Sequence, residues 1–110
     1  MVWIAVDKVF RGGSDEVAKL RGRKVRALRR MDFNQTFTGE DLSGPPATVQ
    51  AGEIGFVGYM SMRMPEMVIL AFPTTFAAGM TFDQLLRSRG AVRTVVVNWI
   101  TFRINFEIER

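Results

Sequence analysis

Asp32, Glu40, Asp41 and Glu53 are the only carboxylates between residues 17 and 65. General acid–base work needs two carboxyl groups whose surroundings pull their pKa values apart, and any two of these four brought together by a loop would be the place for it. The commoner fate of a loop acid is plain solvation. The chain has no histidine and no cysteine. That removes the usual general base, the Ser-His and Cys-His pairs, thiolate metal sites, iron–sulfur ligation and disulfides. No phosphate-loop, dinucleotide or nucleophile-elbow pattern is present, and Gly55-x-x-Gly58 is too short to count. The chain reads as a non-enzyme without a cofactor.

Met60, Met62, Met64 and Met67 place four of the seven methionines within eight residues. Thioethers are soft ligands that can hold Cu(I). The plainer reading is flexible apolar packing, with Met60, Met62 and Met64 on one face of a strand as a candidate contact surface. Without a histidine or cysteine to complete a metal site, the contact surface is the better expectation.

The third feature is charge. Up to Arg30 there are nine Lys/Arg and three Asp/Glu, a net of +6, and the remaining eighty residues carry a net of −2. From Lys19 to Arg30 the chain reads KLRGRKVRALRR, seven bases and no acid. Lys24, Arg26, Arg29 and Arg30 form the candidate polyanion or partner face. Such a face is most often simply solvated. It otherwise suits an acidic protein client or the phosphates of a nucleic acid. Single-strand readers add exposed aromatics to the charge, and of the nearby Phe33 and Phe37 only Phe37 falls in a loop.

These groups need a scaffold, and 110 residues with 47% apolar and 24% charged side chains fit one domain, residues 1–110. No apolar run approaches the length of a membrane span, and MVWIAVDKVF lacks the basic start of a signal peptide, so a cytoplasmic location is expected. Val2 to Phe10 reads as a strand closed by Arg11-Gly12-Gly13. Ser14 with Asp15 and Glu16 suits a helix start, giving one short turn of helix at most before Gly22. Residues 23–33 alternate, with Val25, Ala27, Met31 and Phe33 on one side, Lys24, Arg26 and Arg30 on the other, and Leu28 out of step. A helix from Ser14 to Met31 is the rival, opposed by Gly22 and Val25.

Residues 34–50 read as a long loop, and Glu53–Met62 with Met67–Phe72 as a hairpin. Thr81-Phe-Asp-Gln84 fits a capping box, and Gly90 can end that helix. In the last segment Val92, Thr94, Val96, Ile100, Phe102, Ile104, Phe106 and Ile108 share one parity, broken by Asn98. This predicts strand with a bend near Asn98-Trp99, and Ile100, Phe102, Ile104 and Phe106 buried.

The middle of the chain also carries a family resemblance. Gly22-Arg-Lys-Val25-Arg-Ala-Leu28 is similar to a "G-x-x-V-R" opening strand, and Asn34-Gln-Thr36-Phe37-Thr-Gly39 to an N-D-G-T-[FY]-x-G loop with Gln in place of Asp-Gly. Ala51-Gly52-Glu53-Ile54-Gly55-Phe-Val57 is similar to a G-x-x-G-x-V turn and strand, and Leu70-Ala-Phe72 to a V-x-F strand end. Over residues 22–72 the chain thus resembles the SH3-like barrels of the electron-transport accessory group, nearest the NifZ-type nitrogen-fixation accessory proteins. The glycine pair followed by Val also resembles KOW-type modules, which would imply RNA binding. The resemblance implies an SH3-like barrel and an accessory role.

The expected architecture is therefore mainly β, a small SH3-like antiparallel barrel with one or two short helices. The expected function is a non-catalytic module that docks on another protein or on its own copy, with a nucleic-acid-binding barrel using Lys19–Arg30 as the alternative. Nine phenylalanines, two tryptophans and the clustered methionines exceed what one small barrel easily hides. A long C-terminal strand would also overhang the sheet edge, so a dimer is expected, with no membrane partner.

Overall fold

The computed structural model describes residues 2–38, 41–58, 66–77, 79–87 and 92–110. Within them the chain is mainly β. In order come β1 (Trp3–Ala5), a 3-10 turn (Val6–Lys8), α1 (Ser14–Leu20), β2 (Lys24–Ala27), β3 (Met31–Phe33), β4 (Ala47–Val49) and β5 (Ile54–Val57). Then follow β6 (Met67–Pro73), α2 (Phe82–Arg87), β7 (Val92–Asn98), α3 (Trp99–Asn105) and β8 (Phe106–Glu109). Six strands form an antiparallel sheet in the order β1-β8-β2-β5-β6-β7, and β3 pairs with β4 in a second, smaller one.

Alternation along the strands builds the core. Val25 and Ala27 of β2, Val57 of β5, Val68, Leu70 and Phe72 of β6, Val95 and Val97 of β7, and Phe106 and Ile108 of β8 are buried together. Val6, Phe10, Val17, Leu20, Val49 and Phe102 complete this cluster from outside the large sheet. Away from it, Phe56 packs against Phe76 and Phe82, with ring centroids 6.1 and 5.9 Å apart. Gly55 is where two strands must come close. A Cβ there would lie 2.6 Å from the Ala71 carbonyl oxygen and 2.7 Å from the Phe72 ring.

The expected hairpin is present, with Phe56 opposite Ala71 and Val57 opposite Leu70. So is the capping box: Thr81 N–H donates to Gln84 Oε1 at 2.9 Å, and Gln84 N–H to Thr81 Oγ1 at 3.2 Å. Gly90 lies outside the described residues. α1 begins as expected but runs for seven residues, about two turns where at most one was expected, and its cap is Gly13 rather than Ser14. The backbone donors just before the helix, Arg11 and Gly12 N–H, reach Glu16 Oε2 at 2.9 and 3.1 Å instead.

Several expectations are corrected. The strand over Val2–Phe10 stops at Ala5, because a tight turn closed by Val9 and Phe10 N–H on the Val6 carbonyl drops both Val6 and Phe10 into the core. Residues 23–33 form two strands in different sheets, broken at Leu28, which is 44% exposed. The rival helix fails too, since α1 ends at Leu20. The loop over 34–50 contains β4, and its start is pinned by Thr36 and Gly44, which exchange backbone bonds at 3.4 and 2.9 Å.

The last segment differs most. The bend at Asn98 exists, but α3 follows it, so three short α-helices stand among the described residues where one or two were expected. Asn98 starts this helix by accepting the Thr101 N–H at 2.7 Å. Phe102 and Phe106 are buried as predicted, while Ile100 and Ile104 are 59% and 54% exposed. In β7 it is Val95 and Val97 that face the core, with Val96 opposite Ile69 on the other face. The cause is a shared period. A spacing of four residues satisfies both a strand and a helix, so Phe102 and Phe106 could not discriminate between them.

Candidate functional site

The basic run is built into β2 and the turns around it. Val25 and Ala27 point to the core, so Lys24 and Arg26 take the opposite face. β8 lies directly beside β2 with Arg26 opposite Glu107 and Val25 opposite Ile108, which puts Glu107 and Glu109 on that same face. The pairing follows. Arg26 donates from Nη2 and Nε to Glu107 Oε1 at 2.6 and 3.2 Å, and its guanidinium sits 4.7 Å from the centroid of the Trp3 ring. Lys24 Nζ is 3.8 Å from Glu109 Oε2 and stands over the Phe76 ring. Arg30 pairs with Asp32 at 3.3 Å, both well exposed, and Arg29 lies in the exposed turn beside it. The four candidate cations therefore divide into two facing glutamates on the sheet and two in a turn.

Of the carboxylates, Glu40 lies outside the described residues. Asp41 is exposed and accepts from Thr38 Oγ1 at 3.3 Å. Asp32 and Glu53 belong to one polar chain. The Thr48 hydroxyl donates to Asp32 at 2.7 Å, and the Thr48 carbonyl accepts from Arg93 Nη1 at 2.7 Å. Arg93 in turn grips Glu53 through both terminal nitrogens and reaches the Pro73 carbonyl at 3.0 Å. Burial pushes the Glu53 carboxyl up, but the Arg93 guanidinium and the Gln50 N–H outweigh it and hold it below its ordinary range. That is the shift of a structural ion pair, opposite to what a general acid needs. The arrangement clamps β4, the end of β6 and the start of β7 to the turn before β5.

Met67 is half-buried in β6 opposite Asn98, while Met60, Met62 and Met64 lie outside the described residues. No group of three or more potential metal-ligating side chains occurs among the described residues, and no helix there is long and apolar enough to cross a membrane.

Sequence reasoning missed Glu107, Glu109, Trp3 and Arg93 as partners of the charged side chains. The signal for the first two was the alternation of glutamates in FEIE, the complement of the bases in KVRA, but only the register says which strands meet. No family model matches the chain, and neither a curated protein nor a solved structure is significantly similar to it.

Proposed function

We propose that this chain is a non-catalytic protein-interaction module that associates with a second copy of itself, with an accessory role toward a client protein. The observation that supports it is the outer edge of β7. Trp99 N–H bonds to the carbonyl of Glu66, the residue just before β6, so Val95 and Val97 also direct their backbone groups inward to β6, and Thr94, Val96 and Asn98 direct theirs outward. Among the described residues the outer side receives one backbone bond, Phe37 N–H to Thr94 O at 2.8 Å.

Val96 and Asn98 thus present an edge with no proline, bulge or lysine to protect it. An antiparallel pairing of two copies near Val97 lets both edges satisfy each other. Ile100, exposed and only two residues beyond Asn98, adds an apolar contact beside it. The overhanging C-terminal strand is not formed, so it contributes nothing to this reading. The similarity of residues 22–72 to NifZ-type accessory barrels supports the accessory role, its motifs falling on β2, the loop before β4, β5 and β6. The nucleic-acid alternative lacks comparable support, because Lys24 and Arg26 already face Glu109 and Glu107.

Light scattering coupled to gel filtration tests the dimer. The expected mass is about 25 kDa, twice the 12.4 kDa of the chain, and a monomer at high micromolar concentration overturns it. Val96→Pro removes only an outward-pointing donor, a position where edge strands tolerate proline. It should give a monomer that still melts cooperatively.

A further inference from the structure

We propose a binding site for a small phosphate monoester with an apolar body, in the cavity where the start of β2, the start of α2 and the end of β8 meet. The cavity encloses about 290 Å³ and is lined by Arg23, Lys24 and Arg110 with Glu109, above Phe56 and Phe82. Three basic residues and one glutamate thus line it.

How those charges are held matters more than their number. Arg23, part-buried, is fixed by a hydrogen bond from Nη2 to the main-chain carbonyl of Glu109 at 2.5 Å. A neutral carbonyl orients a guanidinium without cancelling its charge, so Arg23 is a positioned cation with donors to spare. The Glu109 carboxylate, at 3.8 Å, belongs to Lys24. A doubly charged phosphate offers three acceptor oxygens and matches a guanidinium in geometry and charge.

The apolar side follows from the same placement. Phe82 packs on Phe56, and Gly22 lets it approach β2, since a Cβ at Gly22 would already be 3.3 Å from the Phe82 ring. The Arg21 guanidinium stands 5.9 Å from the centroid of the Phe82 ring, so a ring or short alkyl group would lie beside Phe82 along its remaining edge while its phosphate meets Arg23 and Arg110. This site is independent of the β7 edge, on the far side of β5 and β6 in the sheet order.

Amide chemical shifts of the labelled full chain, titrated with phenyl phosphate, test the assignment. Saturable shifts should be confined to residues 22–24, 81–82 and 109–110. Arg23→Gln should weaken binding by about tenfold or more, while Arg29→Gln, in the distant exposed turn, should leave it unchanged. Three results overturn the proposal: no saturable shift at millimolar ligand, shifts scattered over all the exposed bases, or equal affinity of Arg23→Gln. Binding of inorganic phosphate as tight as that of phenyl phosphate also overturns it, because Phe82 would then play no part. A cooperative melt for Arg23→Gln separates lost binding from lost folding.

Discussion

Glu53, one of the four candidate acids of the sequence, is held in a part-buried ion pair with Arg93. Both it and Arg93 are about three-quarters buried, and each satisfies the other's charge while Arg93 also holds two main-chain carbonyls. Because the folded carboxyl sits below its ordinary value of 4.5, the pair stabilises the fold above the unfolded pKa. That contribution fades as pH falls through the depressed folded value. Melting temperature should therefore drop on acidification below about pH 5, and Glu53→Gln should flatten this part of the curve. At neutral pH the same variant should cost about 1–3 kcal/mol in chemical denaturation, since it leaves Arg93 half-satisfied. Gly55 gives a second test. Gly55→Ala forces a methyl against the Ala71 carbonyl and the Phe72 ring and should cost about 1–3 kcal/mol.

α3 makes its own prediction because its two kinds of apolar residue behave oppositely. Phe102 is fully buried against Phe10 and Phe106, so Phe102→Ala should cost about 3–5 kcal/mol. Ile104→Lys, on the solvent side, should change stability by no more than about 0.5 kcal/mol. A continuous strand would bury both and make both changes severe. The same helix marks how far the sequence could be read. Elements with one unambiguous signal were legible: the capping box at Thr81, the hairpin of β5 and β6, and the inward pair Val25 and Ala27. Where four-residue spacing fits two periods, as from Asn98 to Phe106, the choice fell to tertiary packing. The site was less legible than the fold. The basic run was plain in the sequence, but its glutamate partners lie more than eighty residues away, and only strand order brings them together.

For the whole molecule, the strand order explains why a chain with a +6 first segment and a −2 remainder does not present one bare basic wall. β8 carries its acids into the sheet between β1 and β2, where Glu109 and Glu107 meet Lys24 and Arg26, two of the nine bases in that segment. Retention on a polyanion column should therefore be weak, and Arg26→Glu should lower stability through repulsion with Glu107 rather than abolish a strong interaction. Elution of the wild type well below physiological salt is the expected result. The placement of β8 also governs the order in which the fold can form. β1 has no neighbour except β8, and one edge of β2 is vacant until Phe106–Glu109 arrive. Closing a loop of about a hundred residues precedes those contacts, and topologies of this kind fold in milliseconds to seconds rather than microseconds. During synthesis the first strand emerges early and waits for the last. Until then the unpaired backbone edge of β2 stands open, and the cell must tolerate an unfinished sheet for as long as translation takes.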